Sequence, residues 1–217
     1  MLIAEDLLLL LMDDETGTPA QAGTMYYALG GAVLAELALL GRVEAGRKVV
    51  ATGDGPLPDP LLREAYEKVA GKERGVQTLL IEIGSRLWEP LVERLLERGL
   101  IRREQRKVLG LFRVTRLPAA DAAHEAGLRR QIRAALVDGE DADPRTAALI
   151  ALLSASGALP MLRPQLAWSG DVYRRAKEYE NGNWGAGAVS EAVTRTAAAI
   201  AASTAVVAAA AAAATTN

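Results

Sequence analysis

The sequence contains no cysteine and a single histidine, His124, and these two shortages exclude whole classes of chemistry. Without cysteine there is no disulfide, no thiolate nucleophile and no cysteine-based zinc site. One histidine cannot form a multi-histidine metal site, and we predict that His124 is a solvated surface side chain. The G-x-S-x-G and G-x-x-x-x-G-K-S/T motifs are also absent, and Gly53-Asp54-Gly55 lacks the third glycine of a dinucleotide fingerprint. The sequence therefore predicts a protein that is not an enzyme and that needs no cofactor and no metal.

Overall charge is also scarce, because 25 basic residues nearly balance 27 acidic ones and leave a formal net charge of −2. A role at a membrane or on nucleic acid must therefore depend on where the charges lie. Glu5 and Asp6 occupy the place where a signal peptide carries basic residues, so we expect a cytoplasmic protein. The uncharged run 196–216 is long enough to span a bilayer, but its high alanine content favours a packed or frayed helix.

The hydrophobic pattern predicts a mainly α-helical fold, a compact helical domain with short β-hairpins. Residues 3–12 are apolar on nearly every side, which indicates a helix that is buried all round. Gly30 and Gly31 remove bulk from the next helix, so another element is expected to pack closely against it. Asp59-Pro60 and Asp143-Pro144 are typical helix starts. We expect residues 1–217 to form one domain that ends in an alanine-rich helix over about 186–214, since no stretch resembles an interdomain linker.

Two segments combine a helix, a glycine and a basic β-hairpin. The first hairpin is predicted over 42–52, after Gly41. The second follows Gly99 and is predicted to pair residues 100–104 with residues 108–115. The region 98–116 that contains this second hairpin carries seven basic residues and one acidic residue, a net charge of +6 in an otherwise acidic chain.

This basic region has two interpretations on composition alone. Its interleaved apolar residues favour a hairpin with an apolar tip surrounded by basic residues, which would contact anionic lipid headgroups. The alternative is an ordinary half-buried hairpin whose apolar residues face the core and whose charges are merely solvated.

Five segments of the sequence, in the same order, resemble the Golgi phosphoprotein 3 family and its actinobacterial relatives. They cover about residues 1–160, and high alanine, arginine and glycine contents favour a bacterial source. The segments are LIAEDLLLLLMDDETG, YALGGAVLAELALLGRV, LPDPLLREAYEKV, LVERLLERGLIRREQRKVLGLFRVTRLP and DADPRTAALIALLSASGAL.

The resemblance implies a mostly helical, non-enzymatic protein that associates peripherally with membranes. Eukaryotic members bind phosphatidylinositol 4-phosphate and the cytosolic tails of glycosyltransferases, and the family hairpin for membrane contact and self-association corresponds to about 104–116. The candidate lipid-binding basic residues are Arg86, Arg102, Arg103, Arg106, Lys107 and Arg113. The candidate residues for membrane contact or homo-oligomer formation are Val108, Leu109, Leu111 and Phe112.

The family's phosphoinositide pocket is not matched in this sequence. A tryptophan and three arginines of the eukaryotic pocket align with Gln21, Gly30, Ser85 and Trp88, and Arg86 lies one residue away from such a position. We therefore predict binding to anionic membrane lipids by charge density, without specific recognition of phosphatidylinositol 4-phosphate.

Two other functions remain open. The first is a cytosolic adaptor that binds protein partners or membrane-protein tails and no lipid. The second is a winged-helix-like nucleic-acid binder, which is disfavoured because residues 87–98, where a recognition helix would lie, carry two basic and three acidic residues.

Overall fold

The fold is mainly α-helical, as predicted, with two small antiparallel strand pairs. The computed structural model describes residues 1–19, 23–108, 112–162, 166–184 and 191–214. In these ranges the elements are α1 (Ile3–Leu11), α2 (Met25–Leu39), β1 (Val43–Ala45), β2 (Val49–Ala51), α3 (Pro60–Gly71), α4 (Val76–Gly84), α5 (Trp88–Glu97), β3 (Glu104–Val108), β4 (Phe112–Arg116), α6 (Ala123–Arg133) with a π-helical turn (Ala134–Asp138), α7 (Pro144–Ala155), a 3-10 turn (Leu159–Leu162), α8 (Gly170–Glu180) and α9 (Glu191–Ala214).

Helix α1 lies inside the core. All nine of its residues are buried, including the charged Glu5 and Asp6, which confirms the prediction of a helix that is buried all round. It is enclosed by α2, α5, α6 and α7. A helix that is hydrophobic all round has no side left to face water, so its neighbours must cover it completely.

Helices α2 and α4 approach each other at glycines. A Cβ atom on Gly30 would lie 2.4 Å from the carbonyl oxygen of Leu80, and one on Gly84 would lie 1.8 Å from that of Tyr26. The prediction of a close neighbour for α2 is thus confirmed. That neighbour, α4, was not predicted from the sequence.

Short polar residues begin three of the helices. The Asp59 carboxylate accepts a hydrogen bond from Leu61 N at 2.9 Å, and the Asp143 carboxylate accepts one from Arg145 N at 2.9 Å, as the Asp-Pro pairs predict. At the start of α8 the Ser169 hydroxyl accepts a hydrogen bond from Val172 N at 3.2 Å and caps the helix.

Helix α9 lies with one side against the core. Thr196, Ile200 and Thr204 are buried, and Ala45 N donates to the Thr196 hydroxyl at 3.1 Å. Among the described residues, one stretch has the length and apolar composition of a membrane span, Val193–Ala211 in α9, with a mean hydropathy of 1.4 and 28% of its residues buried. The first residues of the predicted alanine-rich helix, up to 190, lie outside the described residues.

An ionic network around the buried carboxylates of Asp6 and Glu36 joins four helices. His124 Nε2 is 2.8 Å from the buried Asp6 carboxylate, and Arg145 donates to Asp6 at 3.3 Å and to Glu36 at 2.5 Å. The His124 side chain keeps 36% of its surface exposed, as expected of a surface residue, but it is paired with a buried carboxylate, which was not predicted. Its partner is 118 residues away along the chain, and nothing in the local sequence indicates that contact.

Candidate functional site

The β3–β4 hairpin is exposed on both faces over its described residues. Gln105 and Arg106 on β3 and Arg113, Val114 and Thr115 on β4 are all exposed, and Val114 keeps 43% of its surface. A hairpin that buries one face alternates, since successive side chains point to opposite sides. Strand β1 does so, with a buried, exposed, buried pattern. The half-buried alternative for the basic hairpin is therefore wrong for these positions.

The hairpin is held mainly by its own hydrogen bonds. Its register pairs Glu104 with Arg116, Arg106 with Val114 and Lys107 with Arg113. Neither strand packs extensively against another helix or strand within the described parts of the chain. The ribbon therefore projects from the helical body, and two basic residues stand directly opposite each other near its outer end.

The strands lie further along the chain than predicted. The predicted first strand, 100–104, instead contains a buried connection: Ile101 forms a bridge with Ala119, and Leu100 O accepts from Ala120 N at 2.9 Å. The apolar residues Leu100 and Ile101 are needed in the core, so the free ribbon starts at Glu104.

Several candidate residues at the tip are not described in full. Leu109 and Leu111 lie outside the described residues, and only the backbone is described for Lys107, Val108 and Phe112. Val108 and Phe112 occupy opposite register positions in the last pair of the ladder. This places Val108 and Phe112 at the far end of the described ladder, beyond the basic side chains of Arg106 and Arg113.

Ion pairs divide the basic region into a neutralised base and a free outer part. Arg102 donates to Glu104 at 2.6 Å, and Arg103 donates to Glu93 at 2.6 Å. Both pairs are exposed, and such pairs stabilise a protein by only about 0–1 kcal/mol, so these arginines can exchange partners readily. Arg106 and Arg113 form no ion pair with any described residue. The +6 region is therefore not one uniform patch.

The base of the hairpin is anchored through helix α5. Glu5 on α1 is completely buried, and Arg98, just after α5, donates to it at 2.9 Å. Arg94 forms a bidentate pair with Asp59 at 2.7 and 2.9 Å and lies 3.8 Å from Glu5. Burial opposes ionisation of Asp59, but the Arg94 guanidinium and backbone donors hold the pKa of Asp59 below its usual value. Helix α5 is thereby tied to both α1 and α3.

An acidic turn, residues 13–17, supports the other side of the base. Thr16 O accepts from Leu117 N at 3.1 Å, and Asp14 O accepts from Ala119 N at 2.9 Å. Hydrogen bonds from Thr16 to the Asp13 carboxylate lower the pKa of Asp13. Nothing in the local sequence indicates the contact between this acidic turn and the segment that follows β4.

The described positions that align with the family pocket differ widely in burial. Gly30 is buried against the backbone of α4 and has no room for a side chain, whereas Ser85 is exposed and Trp88 is half-buried. Gln21 lies outside the described residues. Arg86 is exposed and lines a cavity of about 220 Å³ formed by α3, the end of α4 and the start of α5. No described hairpin residue lines that cavity.

Metal-ligating side chains do not gather at the hairpin or elsewhere in the described ranges. No group of three or more His, Asp or Glu residues is arranged there to hold a metal ion. The chemistry available at the hairpin is therefore that of guanidinium and apolar groups on a projecting ribbon.

Most of the chain matches the model of a known protein family. The family model described as Golgi phosphoprotein 3 (GPP34) matches residues 3–196. The matched region runs from the start of α1 into α9 and contains both hairpins.

Proposed function

Because the chain belongs to the Golgi phosphoprotein 3 family, we propose that it is a non-enzymatic, peripheral membrane protein of the cytoplasm that binds anionic phospholipid through the β3–β4 hairpin. The observation that carries this proposal is the exposure of the described hairpin residues on both faces. A ribbon that contributes little to the core is free to contact another surface. Membership of this family supports a lipid-binding or adaptor role.

The charge on the ribbon sets the expected strength of binding. Residues 104–116 contain four basic residues and one acidic residue, a net charge of +3. Each basic side chain near an anionic membrane contributes about 1 kcal/mol, so attraction by charge alone supplies roughly 3 kcal/mol. That is a weak, reversible association. Stable attachment needs a second contribution, which we assign to insertion of Val108, Leu109, Leu111 and Phe112 among the lipids.

Specific recognition of phosphatidylinositol 4-phosphate at the family positions is not part of the proposal. An arginine at position 30 would collide with the α4 backbone, because even a Cβ atom there lies 2.4 Å from Leu80 O. Charge density on a ribbon does not require a fitted pocket. We therefore expect phosphatidylinositol 4-phosphate to bind no better than phosphatidic acid at equal surface charge, with Arg86→Ala having no effect on that comparison.

Vesicle co-sedimentation tests the proposal. The protein should pellet with vesicles that contain phosphatidylglycerol and much less with pure phosphatidylcholine, and high salt should weaken the binding by screening. Arg106→Gln with Arg113→Gln should reduce binding. A matched control, Lys48→Gln with Arg174→Gln, removes two exposed positive charges elsewhere and should leave binding unchanged.

Three results would contradict this mechanism. Equal binding to neutral and anionic vesicles excludes the electrostatic contribution, and an equal loss in the control variant excludes the hairpin as its source. Absence of binding to either vesicle favours the adaptor role.

The apolar tip is tested with Leu111→Ser combined with Phe112→Ser. We expect lower vesicle binding, or a lower oligomer mass in light scattering, with an unchanged melting temperature. A large loss of thermal stability would place these residues in the core and remove the tip from the site. The free edges of a two-stranded ribbon are also the expected place for pairing with a second copy.

A further inference from the structure

Helix α6 carries an arginine-rich cavity that the proposed hairpin function does not use. The cavity has a volume of about 320 Å³ and lies between α6 and the acidic turn of residues 13–17. Residues three and four apart lie on the same side of a helix, so Arg129 and Arg130 each lie near Arg133 on α6. The lining residues are Asp14, Ala122, Glu125, Ala126, Arg129, Arg130 and Arg133.

Arg129 is fixed in place as part of this wall. Its side chain is only 16% exposed, forms an ion pair with Glu125 and lies 3.8 Å from the Asp14 carboxylate. Its Nε atom is buried and has no hydrogen-bond partner among the described residues. Because this nitrogen is inaccessible, a ligand in the cavity can be reached only by the other nitrogens of the Arg129 guanidinium.

Arg130 and Arg133 supply accessible donors next to it. Arg130 is exposed and forms no ion pair with any described residue, while Arg133 shares an exposed pair with Asp138 at 2.9 Å. The cavity wall thus holds three guanidinium groups and two carboxylates. Burial raises the pKa of the Glu125 carboxyl, against the opposing effect of its ion pair with Arg129. Three guanidinium groups against two carboxylates leave an excess of positive charge in the cavity wall, which favours an anion.

The chemistry of the donors narrows the kind of anion. Guanidinium groups bind phosphate through paired, parallel hydrogen bonds, and several arginines on one helix face suit a group with three acceptor oxygens. The cavity is large enough for one phosphate with part of the molecule that carries it. It also lies beside the turn that is hydrogen bonded to Leu117 and Ala119, just after the hairpin.

We propose that this α6 cavity binds a phosphate monoester, with Arg130 as the principal accessible donor, Arg133 as a second and Arg129 as a fixed guanidinium behind them. The phosphate belongs either to a lipid headgroup or to a soluble phosphorylated molecule. The proposal does not depend on lipid binding by the hairpin. Asp14 opposes it, because its carboxylate faces the same space.

Calorimetric titration of the purified protein with inorganic phosphate and with inositol bisphosphate tests the site. Arg130→Gln should weaken binding of inositol bisphosphate about tenfold, the usual loss for a charge-assisted hydrogen bond. Asp14→Asn should tighten it, because the opposing charge is removed. Arg174→Gln, which removes an exposed arginine on α8, is the matched control and should bind like the wild type. Since Arg130 is exposed, its variant should keep the wild-type melting temperature.

Vesicles distinguish the two sources of phosphate. If the wild type prefers phosphatidic acid to phosphatidylglycerol at equal surface charge and Arg130→Gln loses that preference, the phosphate is a lipid headgroup. If Arg130→Gln loses only inositol bisphosphate binding, the source is soluble. Both results support the cavity.

The proposal is overturned by failure of the wild type to bind either soluble probe, or by equal affinities of Arg130→Gln and Arg174→Gln. It is also overturned if Arg106→Gln with Arg113→Gln abolishes binding of inositol bisphosphate, since the hairpin is not part of the cavity. Loss of vesicle binding alone in that hairpin variant concerns the hairpin function and leaves the cavity assignment intact.

Discussion

The glycine contact between α2 and α4 makes a sharp prediction about stability. In Gly84→Ala the new Cβ atom would lie 1.8 Å from Tyr26 O, so the two backbones must separate by about 1.6 Å to reach ordinary contact at 3.4 Å. The neighbouring atom belongs to a helix backbone and cannot turn aside as a flexible side chain does. We expect a separation of α2 from α4 along their contact.

The cost of this separation exceeds what alanine gains as a helix former. Overpacking of a core costs about 1–3 kcal/mol and sometimes more, and α2 and α4 are both central to the fold. Alanine in place of glycine recovers up to about 1 kcal/mol in a helix interior and less at the last residue of α4. We expect a net loss of about 2 kcal/mol, near the upper end of the overpacking cost less the gain in helix propensity. For a domain of this size that lowers the melting temperature by about 4–8 °C.

Urea denaturation followed by circular dichroism measures this change, with Gly127→Ala as the control. Gly127 lies within α6, and the nearest atom to a Cβ there is the Arg130 guanidinium at 3.8 Å. The same substitution should therefore stabilise the protein by about 0.5–1 kcal/mol. A Gly84→Ala variant as stable as the wild type would refute the close backbone contact and the argument against an arginine at position 30.

Two further predictions concern buried charge. Arg98→Met should destabilise the protein by about 2 kcal/mol, because the fully buried Glu5 would keep the hydrogen bond from Leu2 N but, among the described residues, only Arg94 at 3.8 Å as a basic partner. Arg86→Met at an exposed position should change the melting temperature little, and similar losses in both variants would contradict the role of Glu5. Asp59→Asn should be less stable than the wild type at neutral pH. The pKa of Asp59 is lowered in the folded state, so the ionised carboxylate stabilises the fold, and protonation removes that stabilisation. The difference in stability between the two proteins should therefore close as pH falls below about 4. Thermal melts from pH 7 to pH 3 measure that difference, and a constant gap would rule out ionisation of Asp59 as its cause.

Much of the helical framework could be predicted from local sequence. The largely apolar sequence of α1, the Asp-Pro helix starts and the small residues of α2 each predict structure through effects that act within a few residues. Helix α4 was missed because it is only nine residues long and leaves Ile81 exposed, so its apolar pattern does not mark a clear face. Short apolar segments of this kind do not distinguish one element from another by periodicity.

The basic composition of the candidate site could be predicted from the sequence, but the positions of its strands and ion pairs could not. The basic hairpin was located from its charge, but its strands begin four residues later because Leu100 and Ile101 are used in the core. The ion pairs of Arg98 with Glu5 and of Arg103 with Glu93 join separate parts of the chain. Their effect on the local charge appears only after folding. The α6 cavity depends on Asp14, more than a hundred residues earlier, and has no signal in the sequence of α6.

The β3–β4 ribbon is held mainly by its own hydrogen bonds, so the surface proposed to contact the membrane is separate from the residues that stabilise the fold. Because the ribbon contributes few contacts to the helical body, its residues can change with little selection from stability. Related proteins can therefore alter the charge or apolar content of this segment while the helices stay the same. Such a segment is expected to diverge with the membrane or partner of each lineage, and to tolerate exchange between relatives as a unit.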